Sequence, residues 1–148
     1  MPSPSYMPVA PARMVWGESG GADFPVTGGT AQTATPLTVQ LEANRTYYVV
    51  CGAIFANSSA AAAAGLSWTG PAGAAMKWNN TTGSTGYRST IGAVDSYTGS
   101  TAQRMALLFG RLTTGSAGGA LTLTLSTSDP AQTSTLYADS WLRVERVA

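Results

Sequence analysis

The sequence predicts an all-β protein: an antiparallel β-sandwich of about eight strands, most simply a jelly roll, with an extended arm at its N-terminus. Three observations predict it. Apolar residues recur with a period of two in several runs, most plainly in "LTVQLE" and "ALTLTLST". Clusters of Gly, Pro, Asn and Asp separate these runs at short intervals, as turns between strands do. No stretch alternates strand and helix patterns, so nothing supports an α/β sheet.

A chain of 148 residues is one domain in size. Many Gly, Ser, Thr and Ala residues with little charge would suit a disordered chain, but 44% hydrophobic residues in alternating runs argue for a folded one. Only 10% of residues are charged, the net charge is +1 and there is no histidine, so the basic footprint of a nucleic-acid binder is missing. The first sixteen residues contain four prolines and no continuous apolar segment, which predicts no secretory signal and assembly in a cytoplasm. No run approaches the length needed to cross a bilayer, so membrane insertion is not expected.

Residues 1–30 form the arm and residues 31–148 the sandwich. The arm holds five of the eight prolines and shows no sustained period of either kind. Tyr6, Met7, Val9, Met14, Val15 and Trp16 punctuate it with more apolar material than a spacer needs. Two roles fit: folding back on its own domain, or docking on a neighbouring protein. Docking is the favoured one.

The strands follow in order. Leu37, Val39 and Leu41 alternate with Thr38, Gln40 and Glu42, and "EANRT" is a turn. The run from Tyr47 to Ala56 is apolar on both faces, with Tyr47, Val49, Cys51, Ala53 and Phe55 on one and Tyr48, Val50, Gly52 and Ile54 on the other. Such a strand is capped on its outer face or meets another subunit there, the second being favoured. Cys51 lies inside this run and is predicted to be a small core residue rather than a reactive thiol. The five alanines of "NSSAAAAAG" are too few to nucleate a helix alone and predict a loop or single turn. Leu66–Thr69 and Ala74–Trp78 flank Gly70-Pro71-Ala72-Gly73, which predicts a hairpin with Trp68 and Trp78 on one face. Tyr87–Val94 is a weak strand and "DSYTGST" a loop. Arg104–Thr113 is again two-faced, with Met105, Leu107 and Phe109 opposite Ala106, Leu108, Gly110 and Leu112, and is predicted to join the Tyr47 strand at the centre. Leu121, Leu123 and Leu125 against Thr122 and Thr124 form the cleanest strand; "TSTLYA" and "SWLRVERV" close the chain.

The residue inventory removes most catalytic chemistry. Without histidine and with one cysteine there is no serine–histidine triad, cysteine–histidine dyad or ordinary zinc site. The acids Glu18, Asp23, Glu42, Asp95, Asp129, Asp139 and Glu145 are scattered, with no pattern of the paired carboxylates of glycoside hydrolysis. The expectation is a non-enzymatic protein with no metal and no cofactor. Trp68, Trp78 and Tyr87 could stack on a sugar ring as an aromatic platform, but tryptophans at alternating strand positions are better read as buried packing.

Taken in order, "LEANRTYYVVCGAIF", "LSWTGPAGAAMKW", "GRLTTGSAGGALTLTLS" and "TLYADSWLRVERV" resemble the small jelly-roll domains of virion proteins in tailed bacteriophages, especially those infecting actinobacteria. Those domains are similar in fold to the trimeric tumour-necrosis-factor and C1q heads. The resemblance covers residues 37–147. It implies a homotrimer, with Tyr48, Val50, Ile54, Leu108 and Leu112 lining the three-fold contact, a place on the virion, and no catalytic residues. Two sites on a particle fit. One is a head decoration protein whose arm cements the major capsid protein; the other is a minor tail or tail-tip protein whose loops face the host envelope. The stand-alone size and apolar-dotted arm favour the first.

Overall fold

The computed structural model describes residues 14–18, 21–81 and 87–147. Its eleven strands among these residues are β1 (Met14–Glu18), β2 (Phe24–Thr27), β3 (Thr33–Leu41), β4 (Thr46–Asn57), β5 (Ala64–Thr69), β6 (Ala75–Asn80), β7 (Asp95–Tyr97), β8 (Arg104–Thr113), β9 (Gly119–Thr127), β10 (Thr133–Leu136) and β11 (Trp141–Arg146). All pairings are antiparallel.

The pairing is nested. β1 and β2 pair with β11 and β10, β3 with β9, β4 with β8, and β5 with β7. A strip of such pairs rolls up when its two halves pair side by side, as they do here through β4 with β11 and β10, and through β5 with β9. The outcome is the predicted jelly roll, a seven-stranded sheet with β6 added beside β8, and a four-stranded sheet ordered β3-β9-β5-β7.

β4 is the spine of the larger sheet. It pairs with β8 over ten residues on one edge and is shared by β11 and β10 on the other. Where β10 gives way to β11, the Ser140 hydroxyl completes the ladder, accepting from the Ile54 N–H at 2.9 Å and donating to the Ile54 carbonyl at 3.2 Å. The alternation of β4 sends Tyr47, Val49, Cys51, Ala53 and Phe55 inward, where they meet Leu37, Val39, Leu41, Leu66, Trp68, Leu121, Leu123 and Leu125 of the smaller sheet. Burial pushes the Cys51 thiol far up from its ordinary pKa, as expected of a core cysteine.

In four places the structure departs from the sequence expectations. First, β1 and β2 fall within residues 1–30, expected as an arm, and belong to the larger sheet. β1 lies close against β3 of the other sheet, where a Cβ on Gly17 would stand 2.5 Å from the Thr38 carbonyl oxygen. Main-chain pairing needs no hydrophobic period, which is why these short strands left no signal. Second, β5 and β6 are not a hairpin. The Gly70–Gly73 turn, closed by Ala74 N–H to Pro71 O at 3.0 Å with Gly73 at φ 76°, carries the chain from the smaller sheet to the larger. Trp68 and Trp78 thus enter the core from opposite sheets.

Third, the strand expected at 87–94 is a single bridge between Trp78 and Arg88, whereas Asp95–Tyr97, expected as loop, is β7. Fourth, β3 begins at Thr33, four residues before the predicted strand, and is bulged between Ala34 and Thr38. Pro36, which has no N–H to give the ladder, sits in that bulge, and the Thr35 hydroxyl donates to the Leu123 carbonyl at 2.8 Å in its place. The alanine run is a turn, as expected.

Candidate assembly surface

The outer face of the larger sheet carries the exposed apolar surface. Because residues opposite one another in an antiparallel pair share a face, the register aligns side chains into rows across the strands. One row is Trp16, Arg143, Val50, Phe109 and Asn79. The next contains Glu145, Tyr48, Arg111 and Lys77. Tyr48 is 52% exposed, Phe109 44%, Met105 54% and Trp16 56%, values far above those of core residues of the same type.

These rows border a groove of about 770 Å³ lined by Tyr48, Val50, Lys77, Asn79, Tyr87, Phe109, Arg111, Arg143 and Glu145. A smaller cleft of about 310 Å³, formed by Trp16, Val50, Trp141 and Arg143, adjoins it through Val50 and Arg143. The Arg143 guanidinium lies 5.5 Å from the Trp16 ring centroid and 3.8 Å from Glu145, and Lys77 Nζ lies 5.7 Å from the Tyr87 ring. Cations over aromatic faces keep the surface wettable while leaving it available for burial. Farther along β4, Trp141 covers Gly52 in the row of Leu107, and Ile54 and Met105 follow in the next outward row.

A buried polar cluster holds Tyr87 at the groove's rim. Asp95 accepts hydrogen bonds from the Asn80 amide and the Arg88 guanidinium, and Trp78 Nε1 donates to the Thr90 carbonyl at 3.0 Å. Together with the Trp78–Arg88 bridge, these bonds fasten the returning chain to β6.

The structure sorts the sequence-predicted residues plainly. Tyr48, Val50 and Ile54 share the outer face, as the sequence pattern places them. Leu108 and Leu112 do not; both are fully buried and cannot line a subunit contact. They pair with the inward-facing Cys51 and Tyr47, and the outward partners of β4 are instead Met105, Leu107, Phe109 and Arg111. A signal for this existed: Arg111 shares the parity of Phe109, Leu107 and Met105, and a charge marks the solvent face. Trp68 and Trp78 are each 1% exposed, which overturns the three-residue sugar platform and leaves only Tyr87 at the surface. Of the arm residues, Met14, Val15 and Trp16 lie in β1 with Trp16 exposed, and Tyr6, Met7 and Val9 lie outside the described residues.

The fold and this face define the class: an antiparallel jelly roll with an aromatic groove on its larger sheet. No family model and no curated protein matches the chain. Solved structures similar to it include Eiger TNF from S. frugiperda, at 12% identity over 94% of each chain with a TM-score of 0.45. Two structures of infectious bursal disease virus, the Gx and Gt strains, are similar at 14% and 13% identity with TM-scores of 0.29 and 0.31. All of this chain is covered in both, against 41% and 43% of the viral chains.

Proposed function

We propose that the chain is a non-enzymatic structural protein of a bacteriophage virion, a homotrimeric jelly-roll module seated on the particle surface, and specifically a head decoration protein that cements the major capsid protein. The observation that carries this is the outer face of the larger sheet, where Tyr48, Val50, Ile54, Met105 and Phe109 present apolar surface across its central strands. Surface of this kind on a protein of little net charge is stable in water when a partner covers it. A three-fold arrangement of such faces buries it symmetrically. The four sequence segments quoted above point to the same assembly.

Sedimentation equilibrium tests the trimer. A species of three times the 15.1 kDa chain mass supports it, and a monomer at micromolar concentration overturns it. Gold-labelled antibody on intact particles tests the location. Label spread over the head supports decoration; particles without label overturn the virion role. Label confined to the tail would establish the second reading, a minor tail or tail-tip protein, which the exposed Tyr87 at the groove's rim favours.

A further inference from the structure

We propose that the outer face of the smaller sheet carries a binding site for one neutral sugar ring, centred on Gly65. The subunit contact lies on the other sheet, so this inference stands apart from the assembly reading. Three observations carry it.

The first is charge. Asp95 pairs with Leu66, which turns it inward to Asn80 and Arg88. Apart from it, β3, β5, β7 and β9 hold no Asp, Glu, Lys or Arg. The outer face of the larger sheet, by contrast, carries Lys77, Arg111, Arg143 and Glu145. The outward positions of the smaller sheet are hydroxyls and amides, among them Thr38, Gln40, Thr69, Ser96 and Thr122. Such a face has no ionic partner for a phosphate, carboxylate or ammonium group, and offers hydrogen bonds to a neutral one.

The second is shape. Gly65 pairs with Ser126 on one side and Ser96 on the other, so a row across three strands has no side chain at its centre. A hollow of about 260 Å³ lies here, lined by Gln32, Gly65, Val94, Ser96, Ser126 and Ser128 among others, none of them charged. Sites for drug-sized molecules run to about 300–1,000 Å³, so this one suits a single ring rather than a chain. A Cβ on Gly65 would stand 2.4 Å from Ser126 Oγ, 3.0 Å from Val94 Cγ1 and 3.1 Å from Gln32 Nε2. The missing side chain is what lets those three groups converge.

The third is a fixed set of donors and acceptors. The Thr124 hydroxyl donates to Gln32 Oε1 at 2.9 Å, and Gln32 Nε2 donates to Ser126 Oγ at 2.7 Å. Ser128 Oγ accepts from the Ala63 N–H at 2.8 Å. Ser126 and Ser128 are acceptors in these bonds, so each keeps its own proton to donate, as Gln32 keeps its second amide hydrogen. Neighbouring sugar hydroxyls both donate and accept, and match such a lining. Val94, 46% exposed at the rim, supplies apolar surface for the ring carbons.

Amide chemical-shift mapping of the full-length protein tests the inference. The probes are the methyl glycosides of glucose, galactose and mannose, with glucuronic acid and glucosamine as charged sugars, and glycerol and N-methylacetamide as a plain polyol and a peptide mimic. The expected result is a saturable shift at Gly65, Ser96 and Ser126 with at least one methyl glycoside at millimolar concentration, while Tyr48 and Phe109 stay unmoved. Gln32→Ala and Ser126→Ala should each weaken that binding about tenfold with the rest of the spectrum unchanged. Tyr87→Ala, on the other sheet, should leave it as it was. No saturable shift with any methyl glycoside overturns the inference. So does a response as large to glycerol or N-methylacetamide, a preference for a charged sugar, or unaltered binding in both Gln32→Ala and Ser126→Ala. Sugar binding by a protein that sediments as a monomer supports the inference and counts against the trimer alone.

Discussion

Trp141 lies directly over Gly52: a Cβ at residue 52 would stand 2.4 Å from Trp141 Nε1 and 2.5 Å from Cε2. Gly52 is on the outward face of β4, so its missing side chain leaves room for the indole against the strand. Gly52→Ala forces the ring off the strand and costs about 1–3 kcal/mol, as overpacking does. Urea unfolding should show a lower midpoint with an unchanged slope. In the double variant Gly52→Ala, Trp141→Ala the clash is gone, and the loss should fall well below the sum of the single losses.

The two faces of β8 should respond oppositely to substitution. Leu108→Ala or Leu112→Ala opens a cavity in the core and costs about 3 kcal/mol. Met105→Ser and Phe109→Ser change exposed side chains, so each should move stability by no more than about 0.5 kcal/mol. Met105→Ser should weaken self-association instead. Thermal unfolding read beside sedimentation separates the two classes; a Met105→Ser variant that unfolds early and still assembles would contradict the assignment.

Asp95 is the buried acceptor for Asn80 and Arg88, with its side chain 6% exposed and that of Arg88 20%. Asp95→Ala takes the carboxylate from a mostly buried guanidinium and should cost about 3 kcal/mol. The same change loosens the hold on the chain returning to β6. Amide exchange at Arg88 and Ala93 should therefore accelerate more than exchange in β4.

The Cys51 thiol should react with a disulfide reagent only when the sandwich opens. Burial raises its pKa, so the folded state keeps the proton while the unfolded state loses it above about pH 8.5. The stabilisation is complete below that pH and declines as pH rises above it, by up to about 1.4 kcal/mol per unit. Cys51→Ala should remove this alkaline slope. A slope that survives the substitution would assign it to another group.

Much of the architecture is legible in the chain because period two is a local property. The alternation of Leu121, Leu123 and Leu125 with threonines, and the two apolar faces of Tyr47–Ala56, depend only on the pleat, and they determined the strands, the all-β class and the central place of β4 and β8. The absence of histidine and the lone cysteine are likewise read directly from the chain. Sheet membership and register were decided only in three dimensions. Whether Gly70–Gly73 returns a strand to its neighbour or sends it to the opposite sheet depends on partners distant in the chain, β8 for β6 and β9 for β5. Which face of β8 is outward depends on pairing Phe109 with Val50 and Leu108 with Cys51, where a one-residue slip would exchange the two faces. The groove and its adjoining cleft exist because four separate strands bring Trp16, Tyr48, Phe109 and Lys77 to one surface, a convergence of long-range contacts that no local pattern encodes.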